Sequence, residues 1–310
     1  MKKIQSQTRR QYRNAKLSGS FGGISGFLQN RKFKEKKAVA NELNKLNEVI
    51  LHKPVRKNFK RRQTIVHFMN FQMQGDLADM SKYKRENKGN KYILFIIDTF
   101  SRFLWTFPIK DKSGPVVAAA FKKFFQINKH PIRYIQFDRG LEAYNKHVLE
   151  LFKTKNVKLF STFTELKATL VERVIRTIKT RLERYFTYTN KHRYLEILPM
   201  LTESYNSTIH GAHGFRPRDV NKHNESKVWK ILYEDYFSEP LKTPKFNIGD
   251  KVVTSKIKNL FDKGYAKNWN EEPFFIHEIR KTRPIVYTLR DENNETLQGT
   301  FYENQIQLVE

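Results

Sequence analysis

The chain contains no cysteine. That excludes a disulfide framework, a thiol nucleophile and any zinc site with a cysteine ligand. Carboxylates are scarce: 31 Asp and Glu stand against 59 Lys and Arg, a formal charge of +28 over 310 residues. No apolar run approaches the ~20 residues that a bilayer span needs. Tyr92 to Ile97, as long as any in the chain at six residues, stops at Asp98. The basic N-terminus lacks the apolar stretch of a signal peptide, so none is expected. The Gly/Ser-rich stretch Ser18 to Gly26 does not continue into Gly-Lys-Ser/Thr, which argues against a phosphate-binding P-loop. His210 and His213 lie three apart with no further ligand cluster beside them, so they read as ordinary core or surface histidines rather than a metal site.

What is present is enough for packed domains. The apolar fraction is 39%, with 25 Phe, and the length suits two domains or three small ones. So large a positive charge points to a polyanionic partner, nucleic acid by default. An anionic membrane surface is the weaker option, because no basic amphipathic helix stands alone. The charge is unevenly spread: +15 over residues 1–70, +14 over 71–224 and −1 over 225–310.

The pattern predicts four segments: a basic, partly helical N-terminal region and linker at 1–66, a catalytic core at 67–224, a linker at 225–244 and a small barrel at 245–310. In the first, Lys2 to Lys16 reads as a basic tail. Phe33 to Leu46 reads as a short helix, and Lys53 to Arg62 as an extended basic connector whose Pro54 discourages helix. Arg56, Lys57, Lys60, Arg61 and Arg62 of that connector are candidate phosphate contacts, and the run also suits a nuclear import signal. The second predicts β-β-β-α-β-α-β-α-α: strands at Phe71 to Asp79, Lys91 to Asp98 and Arg102 to Ile109, then a helix at Val116 to Gln126. It continues with a strand at Ile132 to Phe137, a helix at Tyr144 to Phe152, a short strand at Val157 to Phe160, and helices at Leu170 to Tyr188 and Tyr194 to Thr208. That order describes an α/β mixed sheet with flanking helices. In the last segment, short strands near Val252, Phe274 to Ile279, Val286 to Arg290 and Gly299 to Tyr302 predict a small β-barrel.

Three acids sit at informative points. Asp76 is mid-strand, Asp138 ends a strand, and Glu172 lies near the start of the long helix. Converged carboxylates suit a hard cation such as Mg²⁺, and two such ions can support in-line displacement at phosphorus. On the helix, Arg176, Lys179 and Glu183 share the Glu172 face, while Val171, Val174, Ile175, Ile178 and Leu182 form an apolar stripe. Spacing alone does not select these acids over an ordinary salt-bridged helix.

The selection comes from a resemblance. Gln74-Gly75-Asp76-Leu77-Ala78-Asp79-Met80, Ile96-Ile97-Asp98-Thr99-Phe100-Ser101-Arg102, Phe137-Asp138-Arg139-Gly140 with Glu142 and Asn145, and Val171-Glu172-Arg173 with Arg176-Thr177-Ile178-Lys179 resemble the core of retroviral-type integrases and DDE transposases. Within that group they look most like the integrase of Maverick/Polinton transposons. The tail, Ile248-Gly249-Asp250-Lys251-Val252 with Lys267-Asn268-Trp269 and Phe301-Tyr302, is similar to the SH3- or chromo-like barrel of the same elements.

The resemblance spans roughly residues 50–310 and implies a ribonuclease-H-like core. It implies Asp76, Asp138 and Glu172 as catalytic, metal-binding acids holding Mg²⁺ or Mn²⁺, two ions together. Asp98 matches a structural aspartate, Glu142 a family acid that is not a ligand, and Arg176 and Lys179 positions that contact DNA. The implied activity is 3′-end processing and strand transfer of mobile-element DNA into target DNA. The implied partners are double-stranded DNA (element ends and target) and further copies of the chain in a homo-multimer. The nearly neutral barrel suggests a chromatin protein contact, and nothing suggests a membrane. A nuclear location follows.

At several positions the sequence departs from the family's usual residue, with Met73, Leu141, Ala143 and Ile175 in its place. These motivate the alternative of a catalytically decayed or domesticated DNA-binding protein. A ribonuclease H shares the acids, but the tail and the Glu172 helix motif argue against it.

Overall fold

The structure, a computed structural model, describes residues 2–30, 33–56, 58–137, 144–161, 169–256 and 265–309. The chain divides into two compact units: Met1–Gln63 with Pro240–Glu310, and Thr64–Glu239.

The first unit opens with α1 (Lys2–Tyr12), α2 (Ile24–Gln29), α3 (Lys36–Leu43) and α4 (Asn47–Ile50). The expected basic tail is therefore largely helical. Thr8 and Tyr12, one turn apart, are both buried, and Tyr12 packs with Phe27, Val39, Leu43 and Leu46. Charge complements the packing: Arg9 Nε meets Glu42 at 2.6 Å and Arg13 Nε meets Glu48 at 2.6 Å. A basic composition hid this helix because only one of its faces is apolar.

The second unit holds β1 (Gln72–Asp79), β2 (Tyr92–Asp98), β3 (Leu104–Ile109), α5 (Gly114–Ile127), β4 (Tyr134–Phe137), α6 (Lys146–Thr154), β5 (Lys158–Phe160), α7 (Thr169–Thr189), α8 (Ile197–Asn206) and α9 (Glu225–Ser238). The sheet order is β3-β2-β1-β4-β5, with β1, β2 and β3 antiparallel and β1, β4 and β5 parallel. Strand alternation sorts β2 between two cores. Leu94 and Ile96 join Met73, Phe121, Phe124 and Phe152 on the α5–α6 side, and Ile93, Phe95 and Ile97 join Val171, Val174, Ile178 and Leu182 of α7 on the other. Burial of each such large side chain contributes about 1.5–3 kcal/mol. This is the mixed sheet with flanking helices that the sequence leads one to expect.

Helix α9 replaces the first part of the expected 225–244 linker. Val228 and Tyr233 are buried with Val66, Phe100 and Val220, and Pro240 follows where the helix stops. Glu225 accepts the Met69 amide at 2.7 Å, and the Tyr233 hydroxyl accepts that of Val66 at 3.3 Å.

The chain then completes the first unit with β6 (Lys251–Ser255), β7 (Trp269–Arg280), β8 (Val286–Arg290), β9 (Phe301–Tyr302) and β10 (Ile306–Leu308). These form an antiparallel sheet in the order β10-β6-β7-β8-β9 around Phe246, Val252, Ile276, Tyr287, Leu289 and Ile306, a small barrel-like domain. The N-terminal segment packs onto it. Trp269 Nε1 donates to the Lys53 carbonyl at 3.0 Å, the Asn268 amide donates to that of Leu51 at 2.8 Å, and Ile50 packs with Val253 and Trp269. The basic connector has no helix or strand among its described residues. It lies along the barrel, with the Arg62 amide donating to the Tyr302 hydroxyl at 3.1 Å and Phe59 against the Tyr302 ring.

Candidate active site

Register places Asp76 at the centre of β1, opposite Phe95 of β2, on the face that carries α7. Gln72 and Gln74 precede it at two-residue steps and so share that face. Both are buried, at 7% and 4% exposure, where an unpaired amide would be costly. Gln74 uses both ends of its carboxamide. Its Oε1 accepts the backbone N–H groups of Leu170 (3.1 Å) and Val171 (3.3 Å), and its Nε2 donates to Gln136 Oε1 at 3.0 Å. The first N–H groups of a helix have no partner within the helix. Gln74 therefore caps α7 from a strand and locks β4 with the same side chain. Glu172 follows in that first turn of α7, exposed, where the helix dipole favours an anion.

Gly75 explains the close approach of β1 and β4. It pairs with Phe137, and a Cβ on it would stand 2.7 Å from the Phe137 ring. Asp138, the next residue after Phe137, lies outside the described residues, as do Glu142 and Lys57. The structure thus joins the strand of Asp76 to the helix of Glu172 and to the strand preceding Asp138.

The other sequence candidates separate cleanly. Asp98 is fully buried. Its Oδ1 accepts the Asn70 amide at 3.2 Å and its Oδ2 accepts the amide and hydroxyl of Ser101 at 2.9 and 2.6 Å, so it organises a turn. Burial pushes its carboxyl up, against those hydrogen bonds. Asp79 accepts the Ser81 amide at 2.7 Å, and this bond holds its carboxyl below the ordinary value. Arg176 is exposed on α7. Lys179 is half-buried and donates to the Asp79 carbonyl at 3.2 Å, while Glu183 accepts from the Tyr83 hydroxyl at 2.9 Å. In the first unit Arg56, Lys60 and Arg62 are exposed, and Arg61 lies over the Phe59 ring. Among the described residues no group of three or more His, Asp or Glu is gathered for a metal, and no helix is long and apolar enough to cross a membrane. His213 is buried. Its Nδ1 accepts the Phe215 amide, which leaves Nε2–H for the Ser101 carbonyl at 3.2 Å.

Sequence reasoning missed Gln74 and Gln136. The available signal was the alternation Gln72, Gln74, Asp76 on one face of a strand whose neighbours are apolar.

An integrase core domain model matches residues 69–162. A putative uncharacterized transposon-derived protein of Caenorhabditis elegans is 34% identical over 219 residues, 69% of this chain and 71% of that protein. The retrovirus-related Pol polyprotein from transposon 412 of Drosophila melanogaster is 27% identical over 177 residues, 56% of this chain and 14% of the polyprotein. Among solved structures, a chain from the simian T-cell lymphotropic virus intasome in complex with PP2A regulatory subunit B56 gamma aligns over 93% of this chain and 95% of its own length. Its TM-score is 0.63 at 12% identity, which is a likeness of fold. That likeness and the sheet order identify the core as ribonuclease-H-like. With a fold of this kind, a matching core domain and a relative of this identity and coverage, the chain belongs to the integrase-core family of transposon-derived and retroviral Pol proteins.

Proposed function

We propose that the chain is an active DNA integrase of the DDE type, performing 3′-end processing and strand transfer of mobile-element DNA into target DNA. The observation that carries this reading is Gln74, which ties the strand of Asp76 to the helix turn of Glu172 and to β4. Asp76, Asp138 and Glu172 are the proposed catalytic acids. Their oxygens are the hard donors that Mg²⁺ or Mn²⁺ takes, two ions being the natural complement for phosphoryl transfer. A divalent ion held there supplies charge stabilisation to the phosphate and acidifies the attacking water.

The chain's own residues do the rest. The carboxylates fix where the phosphodiester sits, and exposed Arg176 and half-buried Lys179 flank it with positive charge. Water attacks phosphorus and the bond to the 3′-oxygen breaks, leaving a 3′-hydroxyl on the element end. That hydroxyl then attacks a target phosphodiester and displaces a target 3′-hydroxyl, so bonds made and broken balance. Arg56, Lys57, Lys60, Arg61 and Arg62 add non-specific phosphate contact on the first unit. The motifs support an element of the Maverick/Polinton type, action as a homo-multimer in the nucleus, and a chromatin protein as the partner of the nearly neutral barrel.

The test is direct. The full chain with Mn²⁺ or Mg²⁺ and an end-mimicking duplex yields strand-transfer products, and Asp138→Asn yields none. Salt-sensitive duplex binding without any metal-dependent product would instead establish the non-catalytic descendant.

A further inference from the structure

The chain carries two Arg-Arg pairs, Arg9-Arg10 and Arg61-Arg62, each followed by Gln. Two residues beyond the first pair stands Tyr12, buried against Phe27. Two beyond the second stands Thr64, which is exposed, with half-buried Ile65 after it. No helix or strand runs through residues 58–67. Among the described residues nothing hydrogen-bonds Gln63, Thr64 or Ile65. The flanks are held: the Tyr302 hydroxyl accepts the Arg62 amide, and that of Tyr233 accepts the Val66 amide. Thr64 is also the first residue of the second unit, directly after the basic connector.

A protein kinase takes its substrate as an extended span, and the charge pattern around the hydroxyl sets which kinase reads it. Guanidiniums two and three residues before the acceptor are fit for bidentate pairing with carboxylates lining such a cleft. To enter it, the span gives up the Arg62 amide bond and the 3.4 Å contact of the Arg62 guanidinium with Thr300. Arg61 leaves the face of the Phe59 ring. The Thr64 hydroxyl gives up no bond.

We propose that Thr64 is a phosphorylation site for a basophilic serine/threonine kinase, and that its phosphate weakens the connector's hold on DNA. Thr64 Oγ1 attacks the γ-phosphorus of ATP, and the bond to the β,γ-bridging oxygen breaks. ADP leaves, and the hydroxyl proton passes to the kinase's catalytic base. The product carries about −1.5 to −2 charges at pH 7, two and three residues from Arg62 and Arg61. It pairs with those guanidiniums and repels a nucleic-acid backbone. The effect on DNA rests on the phosphate contacts proposed above for the connector; the modification itself does not.

The full chain, treated with the catalytic subunit of a basophilic kinase and Mg-ATP, tests both parts. Mass mapping should place a phosphate on Thr64. Arg61→Gln and Arg62→Gln should each lower kcat/KM for that transfer at least tenfold, with thermal melts confirming that each is folded. Duplex affinity at fixed salt should fall at least tenfold on phosphorylation. The slope of log affinity against log salt should drop by about 2, for two guanidiniums withdrawn. Thr64→Val should keep its duplex affinity through the same treatment. No phosphate on Thr64, transfer indifferent to both arginines, or equal weakening of Thr64→Val would overturn the proposal. An unmodified chain that binds no duplex would instead overturn the nucleic-acid reading, and mass mapping would still decide the site.

Discussion

Gln74 and Gln136 face each other across β1 and β4 at 3.0 Å, each two residues before an acid of the candidate site. Because Gln74 also caps α7, one carboxamide joins three elements. Gln74→Leu leaves the Leu170 and Val171 amides short of an acceptor and takes one of its donors from the Gln136 oxygen. It is expected to cost about 1–3 kcal/mol in urea unfolding and at least tenfold in strand transfer. Gln74→Glu keeps both acceptor bonds and loses the donor to Gln136, so it should fall between. Wild-type stability and activity in Gln74→Leu would refute the clamp.

Gly75→Ala drives a methyl group to 2.7 Å from the Phe137 ring. Overpacking of this kind costs about 1–3 kcal/mol. Adding Phe137→Leu opens space and should recover part of the loss. A double mutant no better than the single would show that the ring contact is not the cause.

Asn87 is fully buried and uses both ends of its amide. Its Oδ1 accepts the Tyr194 amide at 2.7 Å, and its Nδ2 donates to the Tyr83 and His192 carbonyls at 2.7 and 2.8 Å. Asn87→Asp keeps the shape, removes both donors and buries a charge. A loss of about 3 kcal/mol is expected in chemical denaturation. A neutral result would mean that the α7–α8 connection is held elsewhere.

His210 gives a pH dependence with a definite sign. Burial, then the Arg102 charge, then His213 lower it to about 4 from 6.5. The unfolded chain therefore binds the proton first as pH falls. Stability is complete above the unfolded value and is lost between there and the folded value, by about 2–3 kcal/mol for this group. His210→Asn should flatten the slope of unfolding free energy between pH 7 and 5. An unchanged slope would assign the dependence to other groups.

The core elements were legible because their periodicity is strong. Ile93 to Ile97 alternates between two cores, and Val171, Val174, Ile178 and Leu182 form one stripe on α7. Helix α9 was obscured because Val228 and Tyr233 are set among charged residues, and their partners Val66 and Phe100 are distant in sequence. Helix α1 is obscured in the same way by its basic residues: Arg9 and, just past its end, Arg13 pair with Glu42 and Glu48 far along the chain. The site was legible only through resemblance. Asp76, Asp79 and Asp98 are alike as letters, and hydrogen bonding gives the latter two their turn-forming roles. Gln74 carries no motif of its own, since its function depends on a helix that begins 95 residues later.

The central claim is that Asp76 and Glu172 serve one phosphodiester-cleaving centre. Strand transfer by folded Asp76→Asn and Glu172→Gln, at saturating Mn²⁺ and with duplex binding checked in parallel, measures it most directly. Wild type is expected to form products while both variants bind duplex and form none; wild-type product levels from either variant would show that its acid is not part of the centre.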